Sequence, residues 1–156
     1  MQQIREATVE DIPALVVLGR DFHGVHPLGQ LAPYDGPAVV AFLERCMTTS
    51  GSIVLVGEVA GRVAGLLVAT LVPIYFNPAH LTACEICWYV GPEHRQETVG
   101  AALYEAFILW AHVMGACAIQ CGAPSEMPTL AHWYRRQGFL PIETLHLKRI
   151  APCVRA

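Results

Sequence analysis

Charge is scarce in this chain. Of 156 residues only 10 are basic and 13 acidic, a net of −3, while 54% are hydrophobic. A disordered polypeptide has the opposite balance, so that class is excluded. Basic runs are absent, as are the interleaved aromatics of an RNA-binding motif, so nucleic acid is not an expected partner. Nor does any apolar run reach the ~20 residues of a membrane helix. The best candidate, Ile53 to Phe76, is broken by Glu58 and Arg62, and only 14 residues follow that arginine. The opening residues, MQQIREATVED, lack the apolar segment of a secretory leader. The 13 glycines and 11 prolines have no period, which excludes collagen-like chains. No histidine pair has metal-ligand spacing. What remains is a cytoplasmic globular protein, expected as one domain over residues 1–156.

Without a leader, the cysteines at 46, 84, 87, 117, 121 and 153 read as reduced thiols. Cys84 and Cys87 have CxxC spacing, which raises a metal or redox reading. Their segment, TACEICWYV, is β-branched and aromatic and reads as a strand. Residues three apart on a regular strand face opposite ways, so buried apolar thiols are expected and no metal.

Periodicity orders the rest. Ile4 to Ala7 reads as a strand, and Thr8 with Asp11 as a capping-box-like helix start. The helix ends near Phe22, before a long Gly- and Pro-rich loop to Pro37. Pro37 to Thr48 reads as a second helix. Strands are expected at Ser52–Val59, Val63–Tyr75 and Thr82–Val90, the first two joined by a tight turn at Ala60–Arg62. Helical spacing of apolar residues runs from Thr98 to Met114 and stops at Gly115. A buried strand at Cys117–Gly122, a helix at Met127–Gln137 and a final extended stretch at Phe139–Ile150 complete the order. This is an α/β (α+β) pattern, with a mixed sheet of about six or seven strands and helices on both faces.

The segment WYVGPEHRQETVGAAL, Trp88 to Leu103, runs from a strand end through a loop to a helix start. A helix N-terminus presents unpaired N–H groups and a positive dipole end, a general anion site. The segment also resembles motif A of the GNAT superfamily of acyl-CoA-dependent N-acetyltransferases. Val90, Pro92, Glu93 and Arg95 match its Val-x-Pro-Glu-x-Arg, and Arg95 and Gly100 the first and last positions of its Q/R-x-x-G-x-G/A. WYRRQGF, Trp133 to Phe139, resembles the family's Tyr, three residues, Gly-Phe signature, and IREATVEDIPAL its opening strand and helix. Thr98 stands where the family has its middle glycine, and the Asn before the last helix is missing. A β-carbon at 98 is expected to crowd the phosphate loop, unless the hydroxyl caps the helix or donates to a phosphate. The loosened loop resembles those of phage and prophage acetyltransferase-like proteins.

The resemblance implies a GNAT fold and transfer of acetyl from acetyl-CoA to a primary amine. It implies that the backbone of Arg95, Gln96, Glu97, Thr98, Val99, Gly100 and Ala101 cradles pyrophosphate. Main-chain groups of Trp88 and Val90 would pair with the pantetheine arm, and the Val90 N–H would face the oxyanion. Tyr134 falls at the family's general acid. Glu85, the only acidic residue of its strand, is the candidate base. The acceptor, a small-molecule or peptide amine, is expected at the long loop, where His23, Tyr34 and Asp35 are the polar candidates. A homodimer is the expected assembly. Two rivals stand beside this reading: a non-catalytic acyl-CoA-binding module of the same fold, and a cysteine-ligated metal protein.

Overall fold

The computed structural model describes residues 1–148 and residue 150. Its centre is a sheet of β1 (Gln2–Glu6), β2 (Ser52–Val59), β3 (Arg62–Ile74), β4 (Asn77–Val90) and β5 (Ala118–Gln120), in spatial order β1-β2-β3-β4-β5. The first four strands are antiparallel, and β5 joins β4 in parallel. The helices are α1 (Ile12–Val25), α2 (Gly36–Thr48), α3 (Val99–Val113) and α4 (Pro128–Arg136).

Alternation along β2 and β3 makes two cores. Val54, Val56, Leu66 and Val68 face α1 and α2, packing on Leu15, Leu18 and Leu43. Ile53, Leu55, Leu67 and Ala69 face α3, packing on Val99, Leu103 and Phe107, each of which is fully buried. A residue pair with no exposed face explains why these strands read as continuous apolar runs. Ala60 and Gly61 turn β2 into β3 with φ of 51° and 76°. Positive φ at both central residues is the turn that matches strand twist, which confirms the expected hairpin. Gly115 (φ 73°) and Gly138 (φ 89°) end α3 and α4 in the left-handed region, as their positions predict.

Three expectations are corrected. The described residues form five strands rather than six or seven, because 139–148 pair with nothing as a strand. Pro141 removes a ladder donor there, and Leu140, Ile142 and Leu145 stand more than 80% exposed. The strand at 117–122 shrinks to Ala118–Gln120 and is a half-exposed edge rather than a buried element. In contrast β4 starts at Asn77, before the expected Thr82. A two-residue turn at Tyr75–Phe76 closes the β3–β4 hairpin.

The third correction concerns CxxC. Val68 pairs with Cys87 but Ala69 pairs with Glu85, so Ile86 is an extra residue, a β-bulge. The bulge cancels one step of alternation. Cys84, opposite Thr70, and Cys87, opposite Val68, therefore share a face instead of facing apart. Burial pushes the Cys87 thiol up to about 12, which keeps it protonated and apolar in character. Cys153 lies outside the described residues. Among those residues no cluster of three or more His, Cys, Asp or Glu could hold a metal ion. No helix among them is long and apolar enough to cross a membrane.

Candidate active site at the splayed edge of β4

The site begins where two strands part. β5 pairs with β4 only at Thr82, Ala83 and Cys84. Among the described residues, no strand lies beside the outer edge of β4 beyond Cys84. Gly91 donates its N–H to Ala64 O at 2.9 Å. Antiparallel ladders alternate, so Val90 and Trp88 turn their N–H and C=O the other way, toward the open edge. The two backbones singled out from the motif are thus the two presented there. Arg95 Nε reaches Val90 O at 3.3 Å, in keeping with that orientation.

The bulge at Ile86 aims Glu85 onto the α3 face, beside the register position of Cys121. Tyr134 arrives from α4, and its hydroxyl donates to Glu85 Oε2 at 3.1 Å. So the fold brings the two candidate catalytic side chains, 49 positions apart, into one hydrogen bond. Burial raises the Glu85 carboxyl above the usual carboxylate range, against the Tyr134 hydroxyl, the Gly122 amide and the Cys121 thiol, which favour its ionised form. Tyr134 is 6% exposed, and burial followed by the nearby Glu85 charge pushes its hydroxyl strongly upward, so it stays protonated. The Cys121 thiol rises to about 12 from burial and from Glu85. Cys121 was legible only as a buried thiol. Its place beside Glu85 depends on the parallel register of β5.

An aromatic wall closes the edge. Trp88 lies 5.4 Å from Trp133 and 5.9 Å from Tyr104, centroid to centroid, while Tyr134 packs on Phe139 at 5.2 Å. The Gly-Phe of the second motif therefore packs the ring whose hydroxyl meets Glu85. Trp88, Val90, Arg95, Gly100, Ala101 and Trp133 help to line a cleft of about 230 Å3 at the start of α3. Trp133 and Leu130, which also lines it, carried no site signal in the sequence, since both fit an ordinary amphipathic helix.

The phosphate-loop residues behave differently from their motif. Thr98 sits at the N-cap of α3 with φ −85° and ψ 0°. That backbone is open to any residue, so the β-carbon brings no strain. Its hydroxyl neither caps the helix nor faces the cleft: it donates to Gln2 Oε1 at 2.9 Å, tying α3 to β1. Arg95 folds back, with its guanidinium 5.4 Å from the Tyr89 ring and Nη2 at 3.2 Å from the Tyr89 hydroxyl. Glu97 bonds His94 Nδ1 at 3.0 Å, and both line the cleft. Val99 points into the core, fully buried, and Gln96 is exposed in the turn before α3.

On the other face lies a larger cavity, about 450 Å3, between α1, the loop to α2, and the bulged part of β4. His23, Tyr34 and Asp35 all line it. Each is also engaged internally. Tyr34 donates to Val16 O at 2.7 Å, Asp35 Oδ1 accepts from Ala38 N at 3.0 Å as the α2 cap, and His23 Nε2 lies 2.8 Å from Ala32 O. Ile86 and Cys87 form its floor, next in sequence to Glu85.

Comparison with known proteins agrees with this geometry. The model of the acetyltransferase (GNAT) family matches residues 21–139. The chain belongs to the GNAT acetyltransferase family. Its fold is shared by a transcriptional regulator from Bacillus halodurans C-125, with TM-score 0.78 and 21% identity over 96% of this chain and 100% of the other. The aminoglycoside N-acetyltransferase AAC(6')-Iy, solved in complex with CoA, aligns with TM-score 0.77 and 16% identity over 96% and 95% of the two chains. An aminoglycoside acetyltransferase from an uncultured soil metagenomic sample, meta-AAC0020 in complex with sisomicin, gives TM-score 0.73 and 14% identity over 97% of each chain. Among curated protein sequences none matches. At such identities the likeness is one of fold, and the GNAT family assignment rests on the family model.

Proposed function

We propose that this GNAT protein transfers an acetyl group from acetyl-CoA to a primary amine by direct attack. The observation that carries the reading is the Tyr134–Glu85 hydrogen bond at the open edge of β4. The residues present suit the coenzyme: an unpaired strand edge for an extended amide arm, a helix N-terminus with small residues Gly100 and Ala101, and an aromatic wall. Acetyl-CoA supplies the activated acyl carbon. Trp88 and Val90 hold the arm through main-chain bonds, and the Val90 N–H faces the carbonyl oxygen where negative charge develops. The acceptor attacks as the neutral amine, its ammonium having first released one proton to solvent; Glu85, raised by burial, takes the second proton of the attacking nitrogen as the C–N bond forms. Tyr134, held protonated, gives its proton to the sulfur as the C–S bond breaks. Glu85 then returns the proton to Tyr134 across their hydrogen bond, which restores both groups with atoms and charge balanced. The acceptor enters from the cavity lined by His23, Tyr34 and Asp35, on the far side of β4.

A second reading, a coenzyme-binding module without turnover, is supported by the missing Asn before α4 and by Glu85 being the single base candidate of its strand. Thermal melting with acetyl-CoA, free coenzyme A and inorganic phosphate, followed by an amine panel assayed for thiol release, tests both. Ligand at about 100 times its dissociation constant adds about 2.7 kcal/mol, several degrees in Tm. A shift with acetyl-CoA and thiol release with an amine are the expected results. A shift without release supports the module, and no shift overturns both.

A further inference from the structure

One donor in the protein is left over. Among the described residues, Trp88 Nε1 is the buried side-chain nitrogen or oxygen that has no hydrogen-bond partner. Buried polar groups are nearly always bonded, because an unpaired donor keeps the cost of leaving water and gains nothing for it. Trp88 pairs with Leu67 in the β3–β4 ladder and packs its ring against the core on the α3 face. The ring edge that carries Nε1 also carries Cζ2, and Cζ2 lies 3.8 Å from where a β-carbon on Gly100 would stand, at the first turn of α3. Around the ring stand Tyr104 at 5.9 Å, Trp133 at 5.4 Å and Tyr134 at 6.3 Å, centroid to centroid. Their ring faces accept only weakly from an N–H. Trp88 also lines the cleft at the start of α3.

We infer that the Trp88 indole N–H is a coenzyme-binding donor: it bonds a carbonyl oxygen of the pantetheine arm when acyl-CoA lies along β4. The inference rests on the acetyl-transfer reading above and adds a side-chain contact to it. The main chain of residue 88 is turned to the open edge, so an arm that pairs there carries its amide carbonyls past this residue. Gly100 keeps the approach clear, since it puts no side chain against the ring. Trp133 is half-buried on the nine-residue α4 and is the neighbour that gives way as the arm enters. The free protein then carries an unpaired donor that the coenzyme satisfies. Removing the N–H without changing the shape of the ring should therefore act with opposite signs: the free fold loses nothing, and the coenzyme is held less tightly. A ring that only packs would lose both or neither.

Benzothienylalanine placed at position 88 makes that change, with sulfur in place of the N–H. Calorimetric titration should show acetyl-CoA binding weakened about three- to tenfold, while the free variant melts no lower than wild type. A second readout follows the group directly. Trp88, Trp110 and Trp133 give the indole N–H signals in NMR spectra of nitrogen-labelled protein, and Trp88→Phe identifies the one that belongs to Trp88. Saturating acetyl-CoA should move that signal downfield as the hydrogen bond forms. Saturating ADP, which has the pyrophosphate but no arm, should leave it in place. An unmoved signal with acetyl-CoA bound, or an unchanged affinity in the analogue, overturns the inference and leaves the acetyl-transfer reading standing. An equal downfield shift with ADP gives the acceptor to a phosphate and overturns the role of the arm. Wild-type protein that binds no acetyl-CoA overturns both the inference and the reading beneath it.

Discussion

Asp11 offers a sharp test of how the N-terminal segment is held. Arg5 grips its carboxylate with two bonds, 2.7 and 2.8 Å, while also bonding Glu58 on β2, and the Thr8 amide donates to the same carboxylate at 2.8 Å. Asp11 is only 7% exposed. The guanidinium bonds, opposed by burial and helped by the Thr8 amide, hold its carboxyl at about 2 instead of 3.8. That drop is worth about 2.4 kcal/mol of stability at neutral pH. The folded value lies below the unfolded one, so this stability is present above pH 3.8 and is lost as pH falls through about 2. Asp11→Asn keeps the shape and removes the charge. Paired urea melts of the two proteins, followed by circular dichroism from pH 7 down to pH 3, read the difference. The wild type should be more stable by about 2 kcal/mol at pH 7, or about 4–8 °C in Tm for a domain of this size, and the gap should narrow steadily below pH 4. A gap that stays constant with pH would show that the loss comes from shape or packing. A gap under about 0.5 kcal/mol at pH 7 would place the cluster with ordinary surface pairs.

Glu85→Gln should act in the opposite sense on stability. Its folded carboxyl titrates above the ordinary value, so its contribution is present below pH 4.5 and lost as pH rises through the folded value. The variant should melt no lower than wild type at pH 8, while thiol release falls by about 10²–10⁴-fold; scanning calorimetry with a steady-state assay checks both. Phe107→Ala removes a fully buried ring under the sheet and should cost about 3–5 kcal/mol by chemical denaturation. Gly57→Ala would put a β-carbon against Val99 Cγ2, with Ile4 Cδ1 at 3.2 Å, at the first turn of α3. It should cost about 1–3 kcal/mol and weaken coenzyme binding in the same melts, since the start of α3 forms the cleft.

Local chemistry alone settled much of this protein. Helix α3, the Ala60–Gly61 turn and the glycine stops at 115 and 138 follow from side-chain period and from φ values that few residues adopt. Those are near-neighbour effects, written in adjacent residues. Tyr134, from its motif, and Glu85, as the only acidic residue of its strand, were legible in the same way, as types at particular places along the chain. Their hydrogen bond was not, because it depends on a bulge at Ile86 that no single residue announces and on α4 docking across the edge of β4. The same bulge turned Cys84 and Cys87 to one face, against strict alternation. Thr98 looked like a crowding defect in the motif. Its backbone needs no glycine, and its hydroxyl found Gln2, 96 positions away. The last expected strand does not form over 139–148, which has an extended pattern but, among the described residues, no ladder beyond the three residues of β5. Strand formation and side-chain pairing across the site are decided by partners distant in sequence, so only the tertiary structure could decide them.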